Sequence, residues 1–191
     1  MLRLKKKTFT SAEYLAMETV ADYKSEYYNG EIFAMSGGTA DHSLIAVNLT
    51  IALGTRLAAT PCRVFNSDMR LNVERSGLYT YPDVMVICGK IEFVKRRDDT
   101  VTNPLLIVEV LSESARDYDR GAKFNFYKQI PTLREYVVVE SVRPTVECYR
   151  RTEDDKWQIE IHEDLDATVT LASVACEITL RQIYSKASWL S

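Results

Sequence analysis

Residues 104–111 read Pro-Leu-Leu-Ile-Val-Glu-Val-Leu, a stretch with seven apolar or proline positions and one carboxylate, Glu109. A nearly continuous run of Leu, Ile and Val is the mark of a central strand covered on both faces. A carboxylate inside such a strand is costly unless it is paired or binds a metal. The strand therefore predicts a sheet core, and its one charge predicts a site.

Working outward, further elements become legible. Thr10-Ser11 ahead of AEYLAMETV reads as an N-capped helix. Asn29-Gly30 lies between aromatic and aliphatic runs and predicts a hairpin, because both residues tolerate positive φ. From residue 39 or 41 to about 59 the pattern is helical, with Leu44, Val47, Ile51 and Ala58 as the apolar set, and Pro61 stops it. Strands are expected at 63–66, 69–73, 83–88 and 105–111. The polar segment SESARDYDRG leads into a helix over about 118–129, closed before Pro131. REYVVVE, TVECYR, WQIEI and residues 168–171 read as further strands, and ITLRQIYSKA as a terminal helix. The mixture predicts an α/β (α+β) protein with a central mixed sheet flanked by helices. With 191 residues and no repeat or low-complexity linker, the chain is read as one domain over 1–191.

Composition bounds the function. Apolar residues make up 46% and charged ones 27%, a globular profile, and the net charge is −3. That balance disfavours strong non-specific nucleic-acid binding but leaves room for a local basic face. Lys5-Lys6-Lys7, Lys90, Lys95-Arg96-Arg97 and Arg150-Arg151 are the candidate pieces, each also readable as solvated surface. No apolar run reaches membrane-spanning length, and the basic start carries no secretory pattern, so the expected compartment is the cytoplasm. Cys62, Cys88, Cys148 and Cys176 form no close pair in sequence and are read as reduced, buried thiols.

Two more acids share the context of Glu109. Asp83 follows Pro82 and begins an apolar strand in YPDVMVIC; Glu31 follows the Asn29-Gly30 turn. Each alone also reads as an exposed acid, as does Glu109 if its strand has one wet face, and Lys123 alone reads as a surface lysine. Together, carboxylates on rigid strands suit a hard divalent cation. Asp119, Lys123 and Tyr127 follow one another at i, i+4 and i+8, near one helix face, so Lys123 could reach the carboxylates. His42, near a helix start, is readable as a cap or packing residue or as part of the site. Ser36-Gly37-Gly38 lacks both a phosphate-loop lysine and the flanks of a nucleophile elbow.

In this order, YYNGEIFAMSGGTADH, YPDVMVIC, NPLLIVEVLSESARDYDRGAKFNFY, PTLREYVVVE and TVECYR resemble the PD-(D/E)XK nuclease superfamily. More closely, they resemble its Uma-type restriction-endonuclease family. The likeness runs from about Tyr27 to Arg150, and the terminal helix also fits. It implies a restriction-endonuclease-like fold and a metal-dependent endonuclease cutting phosphodiester bonds of duplex DNA. It implies Mg²⁺ or Mn²⁺ held by Asp83, Glu109 and the carbonyl of Val110, with Glu31 as accessory acid. The superfamily lysine two positions after the second acid is absent, since Leu111 stands there; Lys123 on the following helix is implied in its place. Cutting both strands suggests a homodimer. The competing readings are a non-catalytic nucleic-acid-binding or interaction module on the same fold, and hydrolysis of another phosphate ester.

Overall fold

The structure is a computed structural model and describes residues 7–35, 37–112 and 116–190. The basic start at 1–6, Ser36 and residues 113–115 of the polar segment lie outside the described residues.

The N-terminal elements are α1 (Ser11–Glu18), β1 (Ser25–Tyr28), β2 (Glu31–Ala34) and α2 (Ala40–Leu57). Thr10 caps α1 in a reciprocal capping box with Glu13, as the hydroxyl at that position predicted. Then come β3 (Cys62–Asn66), β4 (Arg70–Val73), β5 (Leu78–Thr80), β6 (Val84–Cys88), β7 (Thr100–Val101) and β8 (Leu106–Leu111). After β8 run α3 (Arg116–Tyr118), a π-helical turn (Asp119–Lys123) and α4 (Phe124–Tyr127). The chain closes with β9 (Glu135–Glu140), β10 (Val146–Arg151), β11 (Trp157–His162), β12 (Thr168–Leu171), β13 (Cys176–Thr179) and α5 (Leu180–Ile183).

The central sheet is six-stranded in the order β11-β10-β9-β8-β6-β3. It is mixed: β8 and β9 are parallel, while β6 runs antiparallel to β8. A second sheet has the order β2-β1-β5-β4-β7, and β12 pairs with β13. Every residue of β8 is buried, as its composition predicted.

Strand alternation divides the core in two. Val84, Val86, Leu106, Val108 and Val110 pack with Ile45, Leu49 and Leu53 of α2 and with Ile183 of α5. Met85, Ile87, Ile107 and Leu111 point the other way, toward Leu71, Tyr127 and Tyr136. Glu109 alternates with Val108 and Val110, so it projects to the tyrosine side.

Two expectations are corrected. The buried stripe of α2 is Ile45, Leu49, Ala52, Leu53 and Leu57, whereas Val47 and Ile51 are 50% and 61% exposed. The helix carries apolar residues on two faces, and periodicity alone does not say which meets the sheet. Cys62 and Cys88 are not reduced thiols but form a disulfide. The antiparallel register of β3 and β6 sets them directly opposite each other, although 26 positions separate them in sequence. Cys148 and Cys176 are buried thiols, as expected.

Candidate active site

The ladder between β6 and β8 builds the site. Val84 pairs with Val108, and one step further along that register Asp83 falls opposite Glu109 on the same face. The two acids are tied through the backbone: Val110 N–H donates to Asp83 Oδ2 at 2.8 Å, and Asp83 N–H reaches Glu109 Oε2 at 3.4 Å. Rigid strands thus hold both carboxylates at one end of the sheet.

The helical segment after β8 supplies the cation. Lys123 Nζ lies 2.9 Å from Glu109 Oε1, 3.4 Å from Asp119 Oδ1 and 3.6 Å from Glu26 Oε1. Lys123 and Glu109 are only 6% and 3% exposed. Tyr127 donates its hydroxyl to Glu109 Oε1 at 2.6 Å. Asp119, Lys123 and Tyr127 do converge on one point, but through a π-helical turn and not a regular α-helix. The wider turn alters the carbonyl pattern, and Tyr136 O–H donates to the Asp119 carbonyl at 3.0 Å. Arg120 pins the turn to the sheet through Glu140 at 2.8 Å and Glu147 at 2.6 Å.

Charge in the cluster is unbalanced. Among the described residues, Glu26, Asp83, Glu109 and Asp119 line one cavity of about 610 Å³ with only Lys123 and His42 as basic groups. Burial pushes the Glu109 carboxyl well above its usual range, with Lys123 opposing that rise and Asp83 adding to it. Burial also works to lower the Lys123 ammonium, but Glu109, Tyr127, Glu26 and Asp119 overcome it and keep it protonated. His42 Nε2 sits 3.3 Å from Asp83 Oδ2, and that hydrogen bond raises the imidazole against the effect of burial.

Of the residues singled out from sequence, Asp83, Glu109, Val110 and Lys123 come together here. Glu31 does not line the cavity. Glu26 does line it, and accepts a hydrogen bond from Thr80 Oγ1. In the β1–β2 hairpin Glu26 pairs with Phe33 and Glu31 with Tyr28. Both acids share a face, but Glu31 lies two residues nearer the turn than Phe33, roughly 7 Å along the strand. Glu26 was overlooked in sequence, yet strand alternation in SEYY offered a signal. Ser25 and Tyr27 are the buried positions, leaving Glu26 and Tyr28 on the other face.

A mixed central sheet flanked by helices, with paired carboxylates at a strand end, defines an α/β protein of restriction-endonuclease-like fold. Residues 11–181 match the Uma2 family, described as "Putative restriction endonuclease", and the chain belongs to that family. Two Synechocystis proteins, sll1609 and slr1290, both described as uncharacterized, are similar to it. The first is 42% identical over 79% of this chain and 85% of its own length; the second is 35% identical over 90% and 89%. A crystal structure described as "a putative nuclease belonging to DUF820" from Anabaena variabilis ATCC 29413 shares the fold. Its TM-score is 0.76 over 96% of this chain and 99% of that one, at 19% identity. Among the described residues, no helix is long and apolar enough to cross a membrane.

Proposed function

We propose that this protein is a metal-dependent endonuclease that hydrolyses phosphodiester bonds of DNA. The observation that carries the reading is the triad Asp83, Glu109 and Lys123: two carboxylates tied through the backbone, with a buried ammonium 2.9 Å from the second. A binding module has no need for such a set.

The donor set fits a hard divalent cation. Carboxylate oxygens and a backbone carbonyl are the ligands Mg²⁺ or Mn²⁺ takes, and the excess of acids over cations in the cavity favours added positive charge. Among the described residues, no group of three or more His, Cys, Asp or Glu side chains is placed to hold a metal ion. Mg²⁺ keeps several waters and is commonly held by one or two carboxylates, so Asp83, Glu109 and the Val110 carbonyl would suffice. When bound, such an ion supplies neutralising charge to the scissile phosphate and lowers the pKa of water.

The remaining chemistry belongs to the chain. Lys123 stays charged because Glu109, Asp119 and Glu26 surround it, and its ammonium orients the attacking water or holds a phosphate oxygen. Tyr127 occupies Glu109 Oε1 and leaves Oε2 turned toward Asp83. Glu26 performs the accessory role first expected of Glu31. Cleavage of both strands calls for two such sites, so the acting species is a homodimer on duplex DNA.

The test is incubation of supercoiled plasmid with the protein, with and without Mg²⁺ or Mn²⁺, beside Asp83→Asn and Lys123→Met. Metal-dependent nicking that both substitutions abolish supports the site and the reaction together. A folded wild type that neither cleaves nor binds metal or DNA points instead to an interaction module. Activity surviving both substitutions sinks the assignment of these residues.

A further inference from the structure

Beside the carboxylates stands a nitrogen donor whose position the nuclease reading leaves unused. His42 lies in the first turn of α2, where the Thr39 side chain accepts from its backbone N–H at 3.2 Å and fixes the start of the helix. Its imidazole is turned inward, with the side chain 18% exposed, the same as that of Asp83. Gly38 makes the room. A Cβ there would come within 2.5 Å of Nδ1 and 2.7 Å of Cγ, so only glycine lets the ring lie where it does.

The ring meets an oxygen already assigned to the cation. Nε2 is 3.3 Å from Asp83 Oδ2. Neighbouring donors of an octahedral ion with bonds of about 2.1 Å stand about 3 Å apart, close to the separation seen here. His42 and Asp83 also line a second cavity of about 500 Å³ that adjoins the first.

We propose that His42 is a nitrogen ligand of the divalent cation, bound together with Asp83 and the Val110 carbonyl, and that it biases the site toward Mn²⁺ over Mg²⁺. The inference rests on the metal-dependent reading above. Imidazole is a softer donor than carboxylate and suits first-row transition ions, whereas Mg²⁺ prefers oxygen and gives up its waters reluctantly. Glu109, held behind by Lys123 and Tyr127, would reach the ion through a water.

The experiment is titration of the full chain with Mn²⁺ and with Mg²⁺ by calorimetry, combined with pulsed electron paramagnetic resonance of the Mn²⁺-loaded protein. The wild type should bind Mn²⁺ more tightly and show nitrogen coupling to the ion. His42→Ala should lose that coupling and about tenfold or more of its Mn²⁺ affinity, with a smaller loss for Mg²⁺. The coupling is read on the unaltered chain, so the result does not depend on the variant folding. Mn²⁺ bound without nitrogen coupling, or bound equally by His42→Ala, overturns the role of His42 and leaves the metal reading standing. A folded wild type that binds neither ion removes both.

Discussion

The hydroxyl of Tyr127 donates to Glu109 Oε1 at 2.6 Å in a fully buried contact. It gives the carboxylate of an apolar strand a second partner beside Lys123 and fixes which oxygen faces Asp83. Tyr127→Phe keeps the ring and removes only that donor. Leaving a buried charged acceptor short of one partner costs roughly 1–3 kcal/mol. Urea unfolding should show this loss with an unchanged slope; a variant as stable as wild type would mean that the bond is energetically idle.

Lys123 and Glu109 form a buried pair, and breaking such a pair is dearer than removing both partners. Lys123→Met alone should lose about 3–5 kcal/mol at pH 8, while Lys123→Met with Glu109→Leu should recover much of it. The single variant should also be pH-dependent. Burial raises the Glu109 carboxyl above its unfolded value, so the folded state holds its proton more tightly and stability falls as pH rises through that interval. Chemical denaturation at pH 5 and pH 8 checks both points; additive losses in the double variant would show that the two groups are not coupled.

A second carboxylate should show the opposite sign. Arg97 hydrogen-bonds Asp99 through Nε at 2.6 Å and holds its carboxyl down at about 2. A depressed folded value contributes stability above the unfolded pKa near 4, lost as pH falls toward 2. The Asp99 side chain is 45% exposed, so the contribution is screened to about 1 kcal/mol or less. The stability difference between wild type and Asp99→Asn should therefore shrink between pH 5 and pH 2.5; a constant difference would exclude the pairing in solution.

The face of α2 can be tested directly. Leu53 is fully buried against the sheet and Ile51 is 61% exposed. Leu53→Ala should cost about 2–5 kcal/mol. Ile51→Ala should stay within about 0.5 kcal/mol of wild type. Equal losses in thermal and urea unfolding would reverse the assignment of the buried stripe.

The sequence by itself determined the sheet core and pointed to much of the candidate site. A run such as LIVEVL reads as a covered strand, and a lone acid in it calls for compensation, so Glu109 was legible from local chemistry. Asp83 was legible for the same reason, and Lys123 from helical spacing together with the resemblance. What only the tertiary structure decided were matters of register and face. It chose Glu26 over Glu31 at the cavity, because both acids share one face of a hairpin and only its docking says which reaches the cluster. It chose Leu53 over Ile51, because α2 is apolar on two sides and burial belongs to the partner surface. It joined Cys62 to Cys88, because cross-strand pairing brings together residues far apart in the chain. It set His42 beside Asp83, because a contact between a helix start and a strand end depends on how the two pack, which no local pattern encodes.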